Sequence, residues 1–182
     1  MKLKVLVACL VFVFLSFNGF SQESFPASWE GNYKGELQIY GVDSIAMRVT
    51  MKLDIEKKTD SIYQWKITYD LKGKEDIRDY ELKLVDTKKG HFIIDEKNTI
   101  SIDSYFKTGI FTSFFKVMDS FIVSTYTKKE DSIIFEIISV DGKNSISTGN
   151  SEFEGKIIPE VNSYLVNGRQ KAILIKQLLP SN

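Results

Sequence analysis

Few side chains in this sequence carry groups that could do chemistry. His91 is the only histidine, and it directly follows Lys89-Gly90, a pair typical of a turn. Its imidazole could ligate a haem iron or act as a general base. No partner motif accompanies His91, so a residue that begins a strand is the favoured interpretation. An enzyme that uses His91 and nearby carboxylates is the weakest of the hypotheses considered.

Three acids, Asp95, Glu96 and Asp103, form a second candidate cluster. Such a group could bind calcium or supply an acid–base pair, but its spacing does not match an EF-hand loop. Asn98 indicates a polar hairpin tip instead. The chain also contains no glycine-rich phosphate loop, no Gly-x-Ser-x-Gly and no His-Glu-x-x-His. We therefore predict no catalytic residue, no metal site and no cofactor.

The N-terminus resembles an export signal. Two lysines precede an apolar run over 5–17, which is short for a membrane span and typical of a signal-peptide core. Small residues at the −3 and −1 positions predict cleavage between Ser21 and Gln22. The sequence is therefore divided into a signal peptide, 1–21, and a single domain, 22–182.

Cys9, the only cysteine, lies inside that apolar run. The residues before it resemble a bacterial lipobox, whose cysteine becomes a lipidated first residue. Cleavage there would leave the second half of the run exposed, so the ordinary signal peptide is favoured. We expect an exported protein, periplasmic or secreted, whose domain has no disulfide.

Charge and length restrict the function further. Lys plus Arg and Asp plus Glu each number 24 in 182 residues. Removal of 1–21, with its two lysines, leaves 161 residues of net charge −2, enough chain for one domain with a real core. This balance argues against a nucleic-acid partner and against docking on an anionic membrane. We expect a monomer that does not insert into a membrane once the signal is removed.

A period of two dominates the domain. Apolar residues occupy every second position from Ile45 to Ile55, and polar or small residues occupy the positions between them. A strand places such a set on one face, whereas a helix scatters it. Similar alternation begins near Trp29, Tyr63 and Tyr80, and shorter β-rich runs follow at the spacing of a barrel or sandwich.

About ten strands are expected between 29 and 177, with the stretch rich in Gly, Ser and Asn over 142–159 as a long loop. Long alternating strands with one wet face fit an antiparallel sheet. Closing such a sheet removes its two edges. The predicted fold is therefore all-β, an antiparallel up-and-down β-barrel.

The segment Trp29-Glu30-Gly31-Asn32-Tyr33-Lys34-Gly35-Glu36-Leu37 resembles the first strand of lipocalin-like (calycin) barrels. It is also similar to the start of uncharacterised secreted bacterial proteins. The resemblance implies that Trp29 plugs the closed end of the barrel and that Arg169, at the start of the last predicted strand, packs across it. It further implies a cavity for a small lipophilic molecule. The family's glycine two residues before the tryptophan is Ala27 here, and its Thr-Asp-Tyr motif has no clear counterpart.

Met and aromatic side chains occupy many positions expected to face inward. Adaptable and flat groups of this kind suit a ligand cavity, although they equally suit a filled core. Arg78, between Asp76 and Asp79, fits a solvated strand entry. It also shares the parity of Tyr80, and an inward guanidinium would bind a ligand carboxylate. The predicted ligand-binding residues are Met47, Met51, Trp65, Tyr69, Arg78, Tyr80, Phe114 and Phe121.

Two functions from different classes follow from this sequence. The first is an exported barrel that binds a small hydrophobic or amphipathic ligand in its cavity. The second is a non-enzymatic interaction module of the cell envelope with a filled core, whose function lies on surface loops such as 142–159.

Overall fold

The computed structural model describes residues 24–178, so the predicted signal peptide, 1–21, lies outside the described residues. A short 3₁₀ helix, Ala27–Trp29, precedes the first strand. The strands are β1 (Gly31–Tyr40), β2 (Ile45–Lys57), β3 (Ile62–Leu71), β4 (Lys74–Asp86), β5 (His91–Asp95), β6 (Ser101–Lys107), β7 (Ile110–Val117), β8 (Ser120–Lys129), β9 (Ser132–Thr148), β10 (Ser151–Phe153), β11 (Lys156–Ile158) and β12 (Val161–Lys176). No helix within this range is long and apolar enough to cross a membrane.

Ten of these strands form one closed antiparallel barrel. Each strand from β1 to β9 pairs with its neighbours in the chain, and β12 closes the sheet between β9 and β1. The hairpin of β10 and β11 is the one insertion into this up-and-down order, and it forms a separate two-stranded sheet. The predicted fold class, an all-β up-and-down barrel, is confirmed.

The expected loop over 142–159 is largely β-structure. β9 continues to Thr148, and Ser145–Thr148 pairs with Val161–Tyr164 of β12. Together with β10 and β11 these segments form a projection, residues 145–164, called the arm below. The small polar residues that suggested a loop alternate with β-branched side chains such as Ile146 and Val161, which suit a two-stranded ribbon.

The alternation in β2 sorts its side chains as the sequence predicts. Val49, Met51, Leu53 and Ile55 are buried, whereas the residues between them face outward. Opposite charges on neighbouring strands pair across the outer face of β1 to β5. Arg48–Glu36 at 2.9 Å and Lys66–Asp54 at 3.0 Å are such pairs, and Lys52 of β2 reaches across β3 to Glu75 of β4 at 3.1 Å.

The seam between β1 and β12 requires a close approach at Gly35. A Cβ at this position would lie 2.1 Å from the backbone carbonyl oxygen of Ile173. On either side of it, Lys34 pairs with Ile175 and Leu37 pairs with Ala172. A side chain at residue 35 would therefore push the two strands apart where they close the barrel.

We expect Gly35→Ala to destabilise the protein by about 1–3 kcal/mol, the usual cost of overpacking a tight site. Urea unfolding followed by circular dichroism measures the change. Gly41→Ala is the matched control, because the nearest atom to its added Cβ is 3.4 Å away. Equal stability of the two variants would contradict the assigned role of Gly35.

Candidate functional site

Aromatic rings fill one end of the barrel, called the closed end below. Phe25 stacks on Phe106 with ring centroids 4.4 Å apart. Its edges contact Trp29 at 4.9 Å, Phe92 at 5.0 Å and Phe111 at 5.0 Å. Phe25 reaches this position because the chain enters the barrel through the 3₁₀ helix before β1. The interior of the closed end is therefore packed, and the space bordered by Phe25, Phe92 and Phe106 is an open groove on its outside.

Polar contacts hold the 3₁₀ helix across the closed end. The Tyr33 hydroxyl donates to the Trp29 carbonyl oxygen at 2.9 Å, and the Lys128 ammonium donates to the Ser28 carbonyl oxygen. Burial, helped by the nearby charge of Lys176, lowers the pKa of Lys128. The Lys176 ammonium also lies 5.9 Å from the centre of the Tyr33 ring. Two lysines, Lys128 and Lys176, thus lie beside the 3₁₀ helix and the start of β1.

The expected contact between Trp29 and Arg169 does not form. Trp29 is 3% exposed and covers the closed end, but Arg169 lies beside the other end of β1. Its guanidinium is 5.1 Å from the centre of the Tyr40 ring and 3.4 Å from a Glu136 carboxylate oxygen. β1, which separates Trp29 from Tyr40, is ten residues long and spans about 30 Å at the rise of a strand. β12 is 16 residues long, so Arg169 lies near the open end of the barrel and Lys176 near the closed end.

We expect Trp29→Ala to lower the free energy of unfolding by about 3–5 kcal/mol, because it removes a buried ring from a packed cluster. Arg169→Ala is expected to change it by less than about 1 kcal/mol, since its side chain is 53% exposed and its ion pair lies at the surface. Thermal and urea unfolding distinguish the two. A loss of unfolding free energy from Arg169→Ala as large as that from Trp29→Ala would contradict the surface role assigned to Arg169.

The other end of the barrel contains a cavity of about 150 Å³. Twelve residues line it, and most contribute aromatic or branched apolar surface. The lining comprises Trp65, Ile67, Tyr69, Tyr80, Ile94, Glu96, Ile102, Ser113, Phe115, Ser124, Tyr126 and Ile137. The fully buried Trp65 ring separates this cavity from the closed end, where it contacts Phe111 and Phe25 at 5.3 and 6.4 Å.

A row of serines creates the space. Ser104, Ser113 and Ser124 are paired side by side across β6, β7 and β8, on the face that also carries Phe111. The hydroxyls of Ser104 and Ser113 are 2.6 Å apart and hydrogen-bonded, and the Ser104 hydroxyl also lies 3.2 Å from the Ile102 carbonyl oxygen. Because these side chains are small, the interior stays open beside them while large rings fill the closed end.

Tyrosine hydroxyls give the cavity polar groups. Burial, with a smaller contribution from Tyr80, raises the pKa of Tyr69 to about 12. Burial also raises the pKa of Tyr80, and the adjacent Glu96 carboxylate adds to the shift. Burial raises the pKa of Tyr126 most strongly, although a hydrogen bond from Trp65 opposes it. All three phenols are therefore neutral hydrogen-bonding groups at neutral pH.

Three of the predicted ligand-binding residues, Trp65, Tyr69 and Tyr80, meet in this cavity. Met51 is fully buried in the core and Met47 is 45% exposed near the start of β2; neither lines the cavity. Arg78 also lies outside the lining, and its guanidinium donates to Asp76 at 2.8 Å.

Phe114 and Phe121 are on the outer surface, contrary to expectation. Phe114 is 64% exposed, and its ring lies 5.9 Å from that of Phe121, which in turn contacts Tyr164 of the arm at 5.9 Å. The inward series in β7 is Phe111, Ser113 and Phe115. In β7 the polar Ser113 faces inward and the apolar Phe114 faces outward, the opposite of what hydrophobicity alone predicts.

Three of the four residues considered for catalysis lie on the outer face, whereas the fourth, Glu96, lines the cavity. His91 Nε2 is 2.6 Å from an Asp103 carboxylate oxygen, and the imidazole stacks on Tyr105. Asp95 accepts from Lys83 on the same face. An enzyme that used these groups in the barrel mouth is therefore not supported. Residues 24–178 contain no cluster of three or more His, Cys, Asp or Glu side chains suited to a metal ion.

The described residues form a closed, ten-stranded, antiparallel β-barrel, packed with aromatic rings at one end and holding a cavity of about 150 Å³ at the other. This architecture is compatible with a lipocalin-like barrel. No protein-family model and no curated protein matches the chain.

We expect stability to fall as the pH rises from about 10 to about 12. The pKa of Tyr69 is about 12 when folded and about 10 when unfolded, so the unfolded chain loses this proton first. Ionisation then favours unfolding, and the contribution is complete below pH 10 and lost towards pH 12. Tyr69→Phe should make the fall shallower in urea unfolding at alkaline pH. An unchanged slope would contradict the burial of this phenol.

Proposed function

We propose that the protein binds a small amphipathic molecule in the cavity at the open half of the barrel. One observation carries this proposal: Trp65 and three residues with hydroxyl groups line the same cavity. Those residues are Tyr69, Tyr80 and Ser124. Mostly apolar walls with a few convergent polar groups are typical of ligand pockets. No such arrangement is needed for a core that only stabilises the fold.

The size of the cavity limits the ligand. At about 150 Å³ it matches cavities that accept benzene, and it is smaller than the pockets that hold drug-sized molecules. A haem or a long acyl chain does not fit this volume. The proposed ligand is a compact molecule of about ten non-hydrogen atoms or fewer.

The lipocalin-like (calycin) assignment belongs to the same proposal. Trp29 at the closed end, the 3₁₀ helix before β1 and a cavity at the other end support it. The lysines that take the place of Arg169 depart from the family pattern. We further propose, from the apolar run over 5–17, that the protein is exported and carries the ligand in the periplasm or outside the cell.

The test is a screen of small amphipathic compounds against the purified protein by saturation-transfer difference NMR. Binders are then measured by calorimetry with Ser124→Leu, which fills much of the cavity. We expect affinity to fall at least about tenfold, because the ligand and the new side chain compete for one space. Thr125→Leu, the next residue on β8, is the matched control and should leave affinity unchanged.

A compound that binds Ser124→Leu and the natural protein equally well would place the site elsewhere. A screen without any binder would favour a second function, an interaction module that acts through the arm. The specific support for that alternative is the exposure of Ile146 (71%), Phe153 (65%) and Ile157 (89%), all in the arm.

A further inference from the structure

One charged side chain lines the cavity. Among the twelve lining residues, Glu96 alone carries a formal charge. It follows β5 with the inward parity of Ile94, which is itself part of the lining. Its carboxylate accepts from the Asn98 side-chain amide at 3.2 Å and lies beside the Tyr80 hydroxyl. Neither of these partners is a cation.

The neighbouring cations are directed to other carboxylates. The Lys97 ammonium contacts Asp79 at 2.5 Å, on the outer face of β4. The Arg78 guanidinium contacts Asp76 at 2.8 Å and reaches the Tyr80 hydroxyl. No ion pair within residues 24–178 involves Glu96, so its negative charge is available to whatever enters the cavity.

The aromatic rings around the cavity, like Glu96, favour a positively charged ligand. Trp65, Tyr69, Tyr80 and Tyr126 all contribute to the lining, and the face of an aromatic ring attracts a cation. Ser124 adds a hydroxyl oxygen that accepts a hydrogen bond. An ammonium group donates hydrogen bonds and accepts none, which matches a lining with an acidic and an aromatic side.

We infer that the ligand is a small amine, whose ammonium group binds Glu96 and whose apolar or aromatic body packs on Trp65. This inference rests on the proposed function, which requires only that some small molecule enters the cavity. It departs from the sequence-based expectation, in which Arg78 selects a carboxylate. The cavity should therefore bind compounds of equal size with different affinities, according to the charge of one group.

Three probes of nearly equal size and opposite or no charge test the inference: 2-phenylethylamine, 2-phenylethanol and phenylacetate. Binding of each to the purified protein is measured by calorimetry at neutral pH. We expect the amine to bind about tenfold more tightly than the alcohol, as a charge-assisted hydrogen bond allows, and the carboxylate to bind most weakly. High salt should weaken binding of the amine and leave binding of the alcohol unchanged.

Glu96→Gln keeps the size of the side chain and removes its charge. It should lower amine affinity to that of the alcohol and leave alcohol binding unchanged. Glu56→Gln is the matched control, because Glu56 lies at the closed-end terminus of β2 and pairs with Lys58. That substitution should not change the affinity for the amine. Circular dichroism verifies that each variant is folded.

The outcomes separate this inference from the proposed function. Equal binding of amine and alcohol to the natural protein would overturn the amine inference and leave the cavity as a ligand site. Tightest binding of phenylacetate would also overturn it, and would restore Arg78 as the anchor. Failure of all three probes to bind would overturn the amine inference, and the wider compound screen then decides separately whether the cavity binds any ligand. The comparison of probes on the natural protein stands even where Glu96→Gln does not fold.

Discussion

The hydrogen bonds between β1 and β12 are the constraint on which the rest of the structure depends. They turn a ten-stranded sheet into a barrel and so remove both of its edges. Closure also creates an inside, without which the alternating apolar faces of β2 and β3 would have no common core. Gly35 permits the contact because the Ile173 carbonyl occupies the space of a side chain.

The closed interior is divided by side-chain size. Phe25, Trp29 and their aromatic neighbours fill one half, while Ser113 and Ser124 leave room in the other. Trp65 stands between the halves and belongs to both, since it packs on Phe111 and forms part of the cavity wall. Trp65 is therefore held rigidly by the aromatic rings of the closed end and forms part of the cavity wall. A wall fixed in this way is pre-organised for a small ligand.

Sequence patterns predicted the architecture better than the site. Strict alternation placed Met51 on the inner face, because period and burial agree there. Phe114 and Phe121 were assigned to the wrong side because hydrophobicity alone ranks them above Ser113 and Ser124. In the structure Phe121 packs on Tyr164 of the arm instead. Arg169 could not be placed from sequence, since the position of a cation along a 16-residue strand depends on register. Glu96 appeared as one acid of a polar turn; only the closed barrel turns it towards a cavity.

The closing seam also bears on how the chain reaches this structure. Tyr33 pairs with Lys176, 143 positions further along the chain, so the barrel cannot close until nearly the whole domain is present. The loop entropy of such a contact is lost before the contact is gained, and folds dominated by distant pairings form slowly. Until β12 arrives, β1 and β9 both present open edges to other chains. A growing or truncated chain is thus most prone to aggregate just before its last strand is complete.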